Sequence, residues 1–111
     1  MTFIELLAYV GSHCKYDIMD GDVNDTLAKA QSGAHKNPIV GKVIADMYLN
    51  SGVSTPEGAI ERAQAIKTLG PIRLFYMKDD APVEGFRLVE DIVHKIDGAF
   101  NDEAMRQKAQ L

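Results

Sequence analysis

Apolar residues along this chain recur at three- and four-residue intervals, and glycine or proline breaks the pattern at regular points. That repeat places side chains on one face of an α-helix. Phe3, Leu6, Leu7 and Val10 predict a first helix from about Thr2 to Gly11, opened by a Thr2/Glu5 capping box that satisfies free backbone N–H groups. A loop follows from Ser12 to about Gly21, where Tyr16 and Ile18 flank Asp17 as in a short strand. Leu27, Ala28 and Ala30 predict a second helix that starts near Asp22 or Asn24 and stops at Ser32-Gly33.

The third helix has the clearest signals. Asn37 suits an N-cap and Pro38 the first helical position, while Ile39, Val40, Val43, Ile44, Met47 and Tyr48 line one side as far as Gly52. A fourth helix is expected from Ser54-Thr55-Pro56-Glu57, with Ile60, Ala63, Ile66 and Leu69 inward, ended by Gly70-Pro71. Residues 72–77 (IRLFYM) read two ways: a strand paired with Tyr16–Met19, or a short helix begun by Pro71. The last helix starts near Pro82, carries Phe86, Val89, Ile92, Val93 and Ile96 on one face, meets a kink or stop at Gly98, and frays toward Leu111. The expected fold is therefore mainly α: one domain over residues 1–111, with five or six short helices. A short strand pair involving 72–77 (α+β) is the open alternative.

Composition narrows the function classes. The 111 residues suit one domain, and 46% hydrophobic with 25% charged residues is an ordinary globular balance. Net charge is −4, and neither end nor middle is basic: residues 1–36 carry five acids and three bases, 37–70 three of each, 71–111 eight and six. Nucleic-acid and anionic-membrane partners need a positive face, so neither is expected. Cys14 is the single cysteine, which excludes an internal disulfide and points to a reducing cytoplasm. The apolar N-terminus lacks the basic start of a signal peptide and is too short to span a bilayer.

Candidate chemistry is thin. Asp20, Asp22 and Asn24 match the first ligands of a calcium loop, but Asp25 stands where the sharp turn needs glycine and Gln31 where a bidentate glutamate belongs. A frame beginning at Asp22 fails likewise, at Leu27 and Gly33. These residues are expected to form a polar, helix-capping turn. His94 shares a helix face with Glu90 and Asp91; a metal site would need the loop at His13-Cys14 folded onto the last helix. A Cys14/His94 nucleophilic pair has no spacing to support it. The adjacent acids Asp79-Asp80 and Glu90-Asp91 diverge by about 100° on a helix. No P-loop, G-x-G-x-x-G, G-x-S-x-G or H-E-x-x-H is present. Enzymatic activity and a cofactor are not expected; a small hydrolase or metal-dependent enzyme stands as a lesser alternative.

Residues 39–69 raise a second alternative. Two helix patterns flank Asn50-Ser51-Gly52-Val53-Ser54, and Gly-Val-Ser after a helix resembles the turn of DNA-binding helix-turn-helix units. That resemblance implies a dimeric DNA-binding regulator. Glu57, in the opening turn, has the wrong sign for phosphate, and only Arg62 and Lys67 offer contacts.

The remaining feature is apolar surplus. IRLFYM and the last helix add to the other stripes, and five methionines supply adaptable contact side chains. The expectation is a small acidic protein that acts by protein–protein binding, as an adaptor, regulator or inhibitor. Stand-alone inhibitors of bacteria or phages have this kind of composition. Phe75, Tyr76, Met77, Phe86 and Val89 are the expected contact face, and a homodimer is among its expected uses.

Overall fold

A computed structural model describes residues 1–110; the expected fraying at Leu111 lies outside the described residues. Six helices follow one another: α1 (Phe3–His13), α2 (Val23–Ser32), α3 (Pro38–Leu49), α4 (Arg62–Lys67), α5 (Leu69–Tyr76) and α6 (Val83–Ala109). The fold is mainly helical. Among the described residues the β-type pairing is one isolated antiparallel bridge, Thr2 to Ala59.

The caps expected from sequence form the first three helices. Thr2 and Glu5 complete the capping box, with Glu5 N–H donating to Thr2 Oγ1 at 3.1 Å. Asp22 caps α2, and Gly33 ends it in the left-handed conformation at φ 77°. Asn37 accepts from the Ile39 and Val40 amides at the start of α3. α6 is the spine. Its 27 residues give a rod of about 40 Å, and α1, α3, α4 and α5 pack along it, with α2 on α3 and α1. Leu88, Val89, Ile92, Ile96 and Ala99 form its inner stripe, facing Phe3, Leu6, Leu7 and Val10 of α1 and Val40, Val43, Ile44 and Met47 of α3 in one core.

Two expectations are corrected, and one left open is decided. First, Gly98 does not stop α6, which runs eleven residues past it. The glycine is there for closeness: a Cβ at 98 would sit 2.6 Å from the Tyr9 hydroxyl, so α1 approaches α6 at this point. Second, no helix forms over 54–61. Pro56 and Gly58 are poor helix formers, and the N-terminal segment offers this stretch other partners. Ile4 N–H donates to Pro56 O (3.2 Å), and Ile60 N–H to Met1 O (2.8 Å). The second element is the six-residue α4, begun at Glu61 without a side-chain cap. The compact turn of a helix-turn-helix is thus replaced by a twelve-residue loop over 50–61, anchored by buried Ser51 and Ile60.

Last, the open alternative at 72–77 is decided as helix, running to Tyr76 with Met77 as its C-cap. Pro71 falls in the first turn of α5, where its missing N–H costs nothing. Leu69, Ile72 and Tyr76 then face inward at helical spacing. The strand's prospective partner, residues 16–19, is an irregular loop held elsewhere: His35 Nε2 bonds Ile18 O at 2.9 Å, and Ile18 is fully buried. Gly70-Pro71 therefore lies inside a helix, and the break falls at Thr68, between α4 and α5.

Candidate protein-binding surface

The corner between α5 and α6 follows from the turn Lys78-Asp79-Asp80-Ala81, closed by Ala81 N–H donating to Lys78 O at 3.0 Å. Pro82 precedes the first residue of α6. Tyr76 secures the two helices. Its ring lies over Gly85, where a Cβ would overlap the ring carbons, and it meets Phe75 edge-on at 5.0 Å between centroids. Burial, and then the Asp46 charge, push the Tyr76 phenol above its ordinary range.

With Tyr76 inside, the neighbouring positions of a one-turn-per-3.6-residue helix must point outward. Leu74 is 67% exposed, Met77 58% and Phe75 41%, and Val83 across the corner is 50% exposed. Phe86 is half-buried beside them. A shallow cavity of about 340 Å³ opens between Tyr76, Met77, Val83 and Phe86. Cations cover part of the aromatic surface. Lys42 Nζ and Lys78 Nζ lie 4.9 and 5.3 Å from the Phe75 centroid, and the Arg73 guanidinium 5.8 Å from that of Phe86. Arg73 is also tied to Glu90, Nε to Oε1 2.6 Å. Exposed Leu49 lies on the same side of α3 as Lys42, seven residues on.

Of the five residues expected to form the contact face, Phe75, Met77 and Phe86 reach the surface. Tyr76 and Val89 do not: they are 4% and 0% exposed, because the helical register of α5 and the inner stripe of α6 require them in the core. Leu74 and Val83 were missed. The signal for Leu74 was its offset from Ile72 and Tyr76, legible only once the segment is known to be a helix.

The other candidate sites resolve into structural contacts. Asp20 accepts from the Lys36 amide (2.8 Å) and Lys29 Nζ (3.0 Å), which hold its carboxyl below the usual range. Asp22 is occupied as the α2 cap. The loop at Cys14 does fold onto α6, as a metal site would need, but Asp91 is engaged there by hydrogen bonds. The Lys15 amide donates to Asp91 Oδ2 at 2.8 Å. No group of three or more His, Cys, Asp or Glu able to hold a metal occurs among the described residues. Burial, then the Asp91 hydrogen bond, push the Cys14 thiol up to about 11. Only about one molecule in ten thousand then carries a thiolate at neutral pH. Cys14 is accordingly expected to react with a disulfide reagent far more slowly than a free thiol at neutral pH, with full reactivity restored by urea. Reaction at the free-thiol rate in the native protein would contradict this.

Comparison of the chain with protein-family models, curated proteins and solved structures finds no match. Function is therefore read from the geometry of this surface. No helix among the described residues is long and apolar enough to cross a membrane.

Proposed function

We propose that this protein acts by binding another protein through the α5–α6 corner, as an adaptor, regulator or inhibitor. The observation that carries the reading is the grouping of Leu74, Phe75, Met77 and Val83, all large, apolar and exposed within ten residues of chain. Isolated exposed apolar side chains are commonplace, whereas a contiguous patch with a polar rim marks interaction surfaces. The rigid frame beneath supports it as well. Tyr76, Ile72 and Val89 are packed in the core, so the backbone that carries the outward residues is already ordered before binding. A second copy of the chain is one partner such a patch admits.

The test is the double variant Leu74→Ser/Met77→Ser. Both side chains are more than half exposed, so helical circular dichroism and melting temperature should stay close to those of the parent. Association should fall by at least about tenfold, the loss of two apolar anchors. Light scattering over a concentration series reads self-association, and quantitative pull-down reads other proteins. Unchanged association in both, with the fold intact, would refute the reading.

A further inference from the structure

We infer that the occupant of the α5–α6 corner is a cationic amphipathic helix of another protein. This rests on reading the corner as a protein-binding surface, and adds the chemistry of the partner. Met77, Val83 and Phe86 line a cavity of about 340 Å³, and exposed Leu74 lies one turn before Met77 on the same helix, a pairing that apolar side chains spaced along one helical face can meet.

The charge selects its sign. Residues 74–84 carry three acids, Asp79, Asp80 and Glu84, and one base, Lys78. All three acids are exposed, and none enters an ion pair among the described residues. Of the bases beside them, Arg73 is engaged by Glu90 and Lys42 by Asp46, while Lys78 lies over the Phe75 ring and Arg87, one turn from Glu84, is exposed. What the corner offers an incoming segment is therefore an apolar floor with a rim on which three unpaired acids outnumber Lys78 and Arg87. Lysine and arginine flanking an apolar stripe complement both. A second copy would bring the same acidic rim to a two-fold contact, and an anionic bilayer would be repelled.

The probe is a synthetic amphipathic Leu/Lys helix, with a Leu/Glu twin of the same apolar pattern, titrated into the full chain and read by fluorescence anisotropy. The Leu/Lys peptide should bind, more weakly as salt rises, and the Leu/Glu twin should not. Asp79→Asn/Asp80→Asn/Glu84→Gln should weaken binding about tenfold at low salt. The control Asp25→Asn/Glu61→Gln/Asp102→Asn, which removes the same charge elsewhere, should leave affinity within about twofold. Leu74→Ser/Met77→Ser should abolish binding. The proposal is overturned by equal weakening in the two charge variants, by equal binding of the twin, or by no binding of either peptide. The two readings then separate. Concentration-dependent self-association lost in Leu74→Ser/Met77→Ser would keep the corner as an interface and reject only the cationic partner; no association of any kind would reject both.

Discussion

Replacing Asp91 with alanine is expected to destabilise the protein by about 2 kcal/mol, because a part-buried amide loses a charged acceptor. Asp91 is 8% exposed. Its carboxylate takes the Lys15 amide from 76 residues away in sequence, and so fastens the loop after α1 to α6. Asp91→Asn keeps an acceptor oxygen and should recover half or more of the loss, which separates hydrogen bonding from charge. Burial raises the Asp91 carboxyl, but the Cys14 and Lys15 hydrogen bonds and the Lys95 and Lys15 charges outweigh it and hold it below the usual range. A carboxyl lowered on folding contributes stability above its unfolded pKa of about 3.9, and that contribution disappears as pH falls through the folded value. The gap between parent and Asp91→Asn in urea unfolding should therefore be full at neutral pH and shrink below about pH 4. A pH-independent gap would mean that the charge contributes nothing. An alanine variant as stable as the parent would mean that the clamp is not made.

The second large effect is expected at Gly85. The Tyr76 ring occupies the space of its missing side chain, so Gly85→Val must expel the ring or push α5 away from α6. Overpacking of this kind costs about 3 kcal/mol. Gly85→Ala sets a smaller overlap against the better helix propensity of alanine, worth about 1 kcal/mol, and should cost less. The functional consequence is more telling than the stability. Gly85 is buried, yet Gly85→Val should abolish association, because Leu74, Phe75 and Met77 move with α5. It should also lower the phenol titration of Tyr76 toward its ordinary range as the ring leaves its buried site, read by ultraviolet absorbance. Wild-type melting and association in Gly85→Val would show that the ring does not depend on this gap.

How far this arrangement is legible from sequence depends on how local its cause is. The caps of α1, α2 and α3 are set by residues within four positions of one another, and Thr2, Asp22 and Asn37 act as their chemistry dictates. The loop 50–61 is not local: Ser54 and Glu57 have capping spacing, but backbone groups of Met1 and Ile4 reach this stretch first. Gly98 has the residue type of a helix breaker, but what it meets is the hydroxyl of Tyr9 on α1, distant in sequence. At the corner, apolar surplus located the segment but not its faces. Tyr76 and Val89 look like contact residues until the registers of α5 and α6 turn them inward, and the register of α5 brings Leu74 out.

The length of α6 has a consequence for how the molecule comes into being. Because α1, α3, α4 and α5 all lean on this last helix, the order of synthesis runs opposite to the order of dependence. Domains commonly organise from the N-terminal side during translation, but here the apolar faces of Phe3, Leu6 and Ile44 wait for Leu88 to Ile96 to emerge. The apolar faces of α1 and α3 are thus expected to stay open in the growing chain until α6 has been made, which exposes them to aggregation for the length of that delay.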